Sequence, residues 1–340
     1  MADNYILSDF LITFLNDYWQ SISQLFSNSQ QRLFWGYWCA AIFIAVCWAF
    51  NETRQYKKNI QKMENDTDKD VSFISRLHLK HFITRSAFAD YQLIIINKAI
   101  FLFVSPYLLT KLVIATSLYE SLHYVSSPLM EYTNEIPTWL IVSGFTLWIF
   151  LIDDFARFYF HKLMHDIPFL WQFHKVHHSA TSLTPLTVLR THPIEGIIFT
   201  FRSALVQGVS IGAFYFCFGN RVDLYTILNL NILVFVFNVL GANLRHSHIS
   251  ISYWRWLESI IISPAQHQIH HSVQTKHFNK NYGAILAIWD RLAGSLFYSE
   301  KHQALTFGLN ATQSANEQKL TTLYFSSFYH FYKVLKQKMR

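Results

Sequence analysis

Long apolar runs constrain this chain more than any other feature of its sequence. Five runs approach the roughly 20 residues that a helix needs to cross the hydrocarbon core of a bilayer; they cover residues 33–50, 93–119, 139–160, 197–218 and 224–242. The last two are separated by Gly219-Asn220-Arg221, which predicts a helical hairpin, and the 93–119 run is either one bent span or two half-spans. We therefore expect an all-α, polytopic membrane bundle of about four to six spans.

The composition agrees with a membrane protein. Hydrophobic residues make up 51% of the 340 residues and charged residues only 14%, against roughly 25% charged residues in soluble domains. The three cysteines lie in apolar stretches without a CxxC pair, so neither a disulfide framework nor a four-thiolate iron–sulfur cluster is expected. The net charge of +7 comes without a nucleic-acid-binding signature, so we expect no nucleic-acid partner.

The distribution of Lys and Arg predicts the orientation in the membrane. The segment 51–92 contains eight Lys and Arg residues, whereas 120–138 contains none and carries Glu120, Glu131 and Glu135. Because cytoplasmic loops collect Lys and Arg, the first segment is expected in the cytoplasm, and alternation places 160–195 and everything after 242 there as well. We expect a multi-pass protein of a bacterial inner membrane or an endoplasmic reticulum, with both histidine-rich regions on the cytoplasmic side.

Histidines are concentrated in two windows, with six of the 17 in 161–192 and six in 246–277. They include one HxxxH box, at 161–165, and two HxxHH boxes, at 174–178 and 267–271. Residues three or four apart share a helix face, so each box presents its imidazoles as one patch. Eight imidazoles exceed the four ligands of a structural zinc, which indicates two metal ions. Imidazole alone does not identify the metal, since it suits zinc, copper, iron and nickel.

The boxes, placed just after membrane spans, resemble those of the fatty acid hydroxylase/sterol desaturase superfamily of integral-membrane diiron oxygenases. Further segments carry the resemblance: Asp154 to His161, Thr191 to Glu195, Asn281-Tyr282-Gly283 and Trp289-Asp290. It extends over residues 93–300, the predicted catalytic domain. Residues 1–92 are interpreted as an N-terminal membrane segment with a cytoplasmic basic loop. Residues 301–340 are interpreted as an amphipathic tail that lies on the membrane surface or packs as an ordinary helix.

The resemblance implies a set of metal ligands, namely His161, His165, His174, His177, His178, His267, His270 and His271. His246 resembles a further ligand that such families place before the last box, and His248 competes with it. Three residues are expected to hold ligand imidazoles in orientation, namely Asp154, His192 and Glu195. The alternatives are a salt bridge of Asp154 with Arg157, a ligand role for His192, and a surface ion pair for Glu195. His277 is a candidate to orient the turn at Asn281.

The resemblance also implies a reaction: two ferrous ions and O₂ hydroxylate, or desaturate, a C–H bond of a lipid or sterol-like substrate that arrives from the bilayer. The chain carries no flavin or nicotinamide fingerprint, so an external reductase or small electron carrier is expected. The alternative is a histidine-rich membrane metal-binding protein or transporter without oxygenase activity. Regularly spaced boxes that follow the spans argue against a metal-storage tract and against ligands at mid-bilayer depth. A zinc hydrolase with an HExxH motif is not indicated, because that motif is absent.

Overall fold

The computed structural model describes residues 2–62, 77, 79–126, 133–300, 304–310 and 318–338. Residues 63–76 of the predicted basic loop, residues 127–132 with Glu131, and parts of the predicted tail at 301–303, 311–317 and 339–340 lie outside the described residues. The predicted helical fold is confirmed over the described chain, with one two-stranded hairpin as the exception.

The first seven α-helices are α1 (Ala2–Ser27), α2 (Trp35–Lys62), α3 (Arg85–Val104), α4 (Lys111–Val125), α5 (Thr138–Asp166), α6 (Pro168–His178) and α7 (Pro193–Phe218). The hairpin β1 (Thr226–Ile227) and β2 (Leu230–Asn231) follows, and after it come α8 (Ile232–Val239), α9 (Arg255–Glu258), α10 (Pro264–His270), α11 (Ile288–Ala293) and α12 (Leu320–Lys338). Short 3₁₀ turns cover Leu79–Ile83, Ser105–Tyr107, Pro185–Leu189, Gly219–Arg221, Ala242–His246 and Thr275–His277.

Three helical segments of the described chain are long and apolar enough to cross a membrane, fewer than the four to six expected: Arg85–Val125, Thr138–Asp166 and Pro193–Arg221. The first corresponds to the predicted 93–119 run and consists of two helices, α3 and α4, as the half-span alternative anticipated. Pro106 lies in the turn between them, where its missing N–H would interrupt a continuous helix. Thr110 then caps α4 by accepting a hydrogen bond from the Val113 N–H.

The prediction of a helical hairpin is wrong in its second half. Residues 224–242 form the β-hairpin and α8, whose eight residues span only about 12 Å. Leu228 and Asn229 adopt positive φ angles of 49° and 60° in the tight turn. The segment packs against the connection between α1 and α2, where the Ser29 hydroxyl donates to the Leu228 carbonyl. The apolar run therefore covers a folded-back hairpin, which hydropathy alone does not distinguish from a span.

Small residues bring α4 and α7 into close contact. A Cβ at Gly208 would lie 2.8 Å from the Lys111 carbonyl oxygen, and one at Gly212 would lie 2.7 Å from the Ala115 carbonyl oxygen. Both positions therefore require glycine for the backbones to approach, as is common between membrane helices. This contact fixes α4 along the C-terminal half of α7.

A buried ion pair connects α3 to the loop that follows α6. The Arg190 guanidinium lies 2.9 Å from the Asp90 carboxylate, and both side chains are fully buried. Arg190 also donates to the Ser179 hydroxyl and to the Gln318 side chain just before α12. The start of α12 packs on the same region, because Leu323 is buried against Leu93 and Val176. Within the predicted tail, α12 thus packs on the histidine-bearing core, while aromatic residues on its other face, such as Phe325 and Tyr329, stay exposed.

Candidate metal centre

Nine of the ten predicted ligand imidazoles converge in two groups. Site A consists of His161, His165, His174, His178 and His270, and site B consists of His177, His246, His267 and His271. Within each group, one ring nitrogen from every histidine lies within 4.8 Å of the others. The structure therefore places the three boxes around two centres.

Helix geometry explains how one HxxHH box serves both sites. At about 100° per residue, a neighbour four positions on is rotated by about 40°, whereas a neighbour three positions on is rotated by about 60° the other way. In α6, His174 and His178 accordingly face site A and His177 faces site B. In the second box the assignment is inverted, since His267 and His271 face site B and His270 faces site A.

Hydrogen bonds at Nδ1 define the tautomers in site A. His161 Nδ1 lies 2.7 Å from the Tyr282 carbonyl oxygen, and His270 Nδ1 lies 2.8 Å from the Lys280 carbonyl oxygen. His174 Nδ1 lies 2.8 Å from Oε1 of Glu195. Because carbonyl and carboxylate oxygens only accept, each Nδ1 carries the proton and donates it. The three Nε2 atoms are left with free lone pairs, as metal ligation requires.

These lone pairs face one another. His161 Nε2 lies 3.1 Å from Nε2 of both His174 and His270, and His178 Nε2 lies 3.2 Å from Nε2 of His174. A shared proton does not bridge them, because burial and the neighbouring imidazoles lower the pKa of His174 and His270 well below the ordinary value. Nε2 of His165 is buried without a hydrogen-bond partner among the described residues. This arrangement of lone pairs and an unpartnered nitrogen fits a cation.

In site B the Nε2 atoms also face one another, but fewer hydrogen bonds hold the rings in position. His246 Nε2 lies 3.1 Å from Nε2 of His177 and 2.9 Å from Nε2 of His267. His177 Nδ1 lies 3.3 Å from the Arg190 carbonyl oxygen, and burial lowers the pKa of His177 to about 3. Neither ring nitrogen of His271 has a hydrogen-bond partner in the described chain. The His178 and His271 rings stack at 4.5 Å, so the two sites are adjacent.

Of the residues predicted to hold ligand imidazoles in orientation, Glu195 contacts such an imidazole and Asp154 does not. Glu195, 3% exposed in the first turn of α7, contacts His174 directly. Asp154 contacts no ligand imidazole; its carboxylate accepts from the N–H groups of Ile285 and Leu286 and from the Trp289 indole. The alternative salt bridge of Asp154 with Arg157 is also not formed, because Arg157 pairs with Asp153. Asp154 instead fixes the segment that precedes α11.

That segment forms a scaffold for His161. The Asp290 carboxylate accepts from the backbone N–H groups of Tyr282 and Gly283 and thereby holds the turn that presents the Tyr282 carbonyl. Gly283 is required there, since a Cβ would lie 2.7 Å from the Leu286 carbonyl oxygen. The Asn281 side chain fastens the same turn to Phe297, on whose ring His277 packs. Sequence reasoning missed the Tyr282 and Lys280 carbonyls, because every residue carries a carbonyl group and no residue type marks these two.

Two predicted site histidines lie elsewhere. His192 caps α7 by accepting from the Ile194 N–H through Nδ1, while its Nε2 faces the Tyr324 carbonyl. Its expected contact with a ligand imidazole is not formed in the described structure, and it lies in neither site. His192 instead caps the start of the helix that carries Glu195. The His248 ring stacks on His81 with centroids 4.7 Å apart, outside both sites. Of the competing pair, the structure therefore brings His246 into the centre.

A cavity of about 270 Å³ opens on the centre. Its wall includes His165, His178 and His270 of site A, His271 of site B, and the aromatic ring of Trp171. A molecule in this space would contact ligand imidazoles of both sites. The arrangement can hold two cations side by side beneath a cavity that admits a further reactant.

Residues 146–295 match the family model described as fatty acid hydroxylase. The chain is 29% identical to an alkylglycerol monooxygenase of Danio rerio over 171 residues, which is 49% of this chain and 33% of that protein. It is 27% identical to a Delta(7)-sterol 5(6)-desaturase of Gibberella zeae over 158 residues, covering 46% of this chain and 42% of the desaturase. With an ornithine lipid hydroxylase of Rhizobium tropici it shares 27% identity over 204 residues, 58% of this chain and 55% of that enzyme.

The matched region contains every member of sites A and B. The chain spans about a third of the length of the alkylglycerol monooxygenases that it matches. No solved structure gives a significant match.

Proposed function

We propose that this chain, whose residues 146–295 match the fatty acid hydroxylase family model, is a membrane oxygenase of the fatty acid hydroxylase/sterol desaturase superfamily that acts on a C–H bond of a lipid. The observation that carries the proposal is the pair of imidazole sites beneath one shared cavity. Two adjacent metal ions with room for a third molecule are what joint activation of O₂ and a substrate requires.

We propose iron as the metal in both sites, with all nine imidazoles as ligands. Bound iron supplies the redox chemistry that reduces O₂ and oxidises the C–H bond. Hydroxylation takes one O₂, two electrons and two protons and yields the alcohol and water. The two electrons would come from an external reductase or small electron carrier.

The chain's own residues would provide position and proton control. The Tyr282 and Lys280 carbonyls and the Glu195 carboxylate hold three imidazoles of site A with Nε2 deprotonated. Two bound cations would favour the ionised form of the Glu195 carboxyl group, whose negative charge would then offset part of their positive charge. His177 stays neutral at physiological pH because burial keeps its pKa at about 3. Trp171 would restrict the entry of water into the cavity.

We propose a substrate taken from the bilayer. In support of this, His161 and His165 lie near the end of α5, which is one of the three helices long and apolar enough to cross a membrane. The relatives' names refer to an alkylglycerol, a sterol and an ornithine lipid, so a lipid is the common class. We favour hydroxylation over desaturation. The catalytic domain would span residues 93–300, with the centre on the cytoplasmic side of a bacterial inner membrane or an endoplasmic reticulum.

The test combines metal analysis with turnover. Protein purified in detergent and reconstituted with ferrous iron should bind two irons per chain. With a reductant and extracted membrane lipids it should consume O₂ and yield a hydroxylated or desaturated lipid detectable by mass spectrometry. The exposed-tail variant His330→Ala is the control and should retain both properties. A protein that binds metal but consumes no O₂ with any lipid and reductant would instead be a metal-binding protein or transporter.

A further inference from the structure

A second cavity, of about 280 Å³, lies between α4, α5 and the hairpin segment and shares no wall residue with the cavity at the metal centre. Its wall includes Lys111, Asp153, Arg157 and Gln207. On α5, Arg157 and Asp153 lie four and eight residues before His161, which is about 6 Å and 12 Å along the helix axis. This cavity is therefore near the metal centre but displaced from it towards the middle of α5.

Positive charge is in excess around this cavity. The Asp153 carboxylate is shared by two guanidinium groups, with Arg157 Nε at 2.8 Å and an Arg202 nitrogen at 2.9 Å. The other acid in the wall, Asp154, already accepts three N–H groups. Lys111 is exposed, belongs to the cavity wall and forms no ion pair within the described chain. The wall thus contains two cations and two carboxylates whose oxygens are occupied, and Arg202, which lies outside the wall on α7, adds a third cation.

Two further arginines behind the wall increase the excess. The Arg32 guanidinium donates to the neutral Asn238 side chain, and that of Arg245 donates to the backbone carbonyls of Ala242 and Ala284. Burial lowers the pKa of Arg32, and the nearby charges of Arg245 and Arg157 lower it further. Among the described residues of this part of the molecule, five cations are accompanied by two acids.

An excess of positive charge is energetically unfavourable in this part of the protein. Asp153, Arg157 and Arg202 are on helices long and apolar enough to span the membrane, where ionisable groups are rare and usually mark a function. The buried Arg202 also has a nitrogen, Nε, without a hydrogen-bond partner among the described residues. Arg245 is buried without an ion pair among the described residues, and a buried charge destabilises the fold unless a counter-ion accompanies it. The metal sites do not use any of these cations.

We propose that this cavity binds an oxyanion, the phosphate or carboxylate group of a membrane lipid. Arg157 would offer a planar guanidinium that matches such a group, and Lys111 would add a mobile point charge. The same chemistry would accept free phosphate, so the experiment separates the two sources. The proposal requires neither a bound metal nor turnover, so its test is independent of the test of the oxygenase proposal.

The test measures binding to metal-free protein in an uncharged detergent by calorimetry. The probes are dihexanoyl phosphatidic acid, its neutral counterpart dihexanoylglycerol, and inorganic phosphate. We expect the acid to bind at least tenfold more tightly than the neutral lipid. Lys111→Gln and Arg157→Gln should each weaken binding of the acid about tenfold, as loss of one charged hydrogen bond predicts.

Lys162→Gln is the matched control, because Lys162 lies on the same helix but pairs with Asp166 outside the cavity. It should leave the affinity unchanged. Phosphate that binds as tightly as the lipid, with the same sensitivity to Lys111, would support the oxyanion site and assign it to a free anion. Equal affinity for the neutral lipid, or an unaltered affinity in Lys111→Gln, would overturn the proposal; Lys111 is exposed, so its variant is expected to fold.

Discussion

Sites A and B contain the same type of ligand but differ in how firmly the protein holds it. In site A, three of five imidazoles donate Nδ1–H to acceptors at 2.7–2.8 Å, and one acceptor is the carboxylate of Glu195. In site B, only His177 has such an acceptor, the Arg190 carbonyl oxygen at 3.3 Å, and Nδ1 of both His267 and His271 lacks a partner in the described structure. The scaffold therefore orients the imidazoles of site A in advance, whereas site B would depend more on a bound metal to align its rings.

Removal of a ligand should have the largest effect. His174→Ala deletes a site A imidazole and leaves Glu195 buried without its partner, so we expect loss of measurable turnover and loss of the iron in site A. The measurement is iron content per chain by mass spectrometry alongside lipid oxidation. Full activity in this variant would refute the ligand assignment.

Glu195→Ala tests whether the carboxylate distinguishes the two sites. Loss of a hydrogen-bonded partner behind a ligand typically reduces metal affinity by about 10- to 100-fold, and we expect that reduction at one site only. Competition with a chelator should then resolve two steps of iron release. Glu120→Ala, at an exposed position, is the control. An equal loss of iron affinity at sites A and B would contradict the proposal that Glu195 supports site A alone.

The metal-free protein should lose stability in acid because its buried histidines resist protonation. Burial lowers the pKa of His177 to about 3 and that of His192 to about 4, while unfolded histidine titrates near 6.5. The unfolded state therefore binds more protons, so stability should be constant above about pH 7 and fall as pH decreases from about 6.5 towards these values.

The expected slope is at most about 1.4 kcal/mol per pH unit for each such histidine. Denaturant unfolding between pH 4 and pH 8 measures it, and His192→Gln should make the curve less steep by about one histidine's contribution. Stability that rises on acidification would contradict the neutral imidazoles assumed for both sites.

Asp154→Asn should weaken site A through the backbone. The amide keeps one acceptor oxygen but replaces the other with a donor that faces N–H groups, which costs about 1–3 kcal/mol of unfolding free energy. Because this segment carries the Tyr282 carbonyl to His161, chelator competition should show weaker binding in site A than in site B. Reduced affinity confined to site B would show that the scaffold does not act through His161.

His248→Ala should have the smallest effect. The ring lies outside both sites and stacks on His81, so iron content should be unchanged and stability should shift by less than about 1 kcal/mol. Loss of one iron would mean that His248 and not His246 completes site B.

The spacing of the histidines in the sequence predicts more about sites A and B than about the fold that surrounds them. The three- and four-residue intervals of the boxes predict that the imidazoles of one box lie close together on a helix. Glu195 is identified from another segment that carries the family resemblance, Thr191 to Glu195. Helix geometry turns the i+3 and i+4 imidazoles of each HxxHH box to opposite sides, but which of the two sites each imidazole faces depends on how α6 and α10 are packed, and the spacing does not contain that. His192 and His248 carry the right side chain, but tertiary packing turns their rings towards Tyr324 and His81.

The prediction of a membrane span at 224–242 is wrong for a related reason. Hydropathy reports how apolar a segment is, whereas the positive-φ turn at Leu228 and Asn229 and the contacts with Ser29 decide that it folds back. The 93–119 run contained a local signal, Pro106, and its division into two helices was anticipated as one alternative.

Anomalous diffraction at the iron edge tests the central claim most directly. Crystals of the iron-loaded protein should give two peaks per chain, one enclosed by the five imidazoles of site A and the other by the four of site B. A single peak, or two peaks away from these rings, would contradict the account.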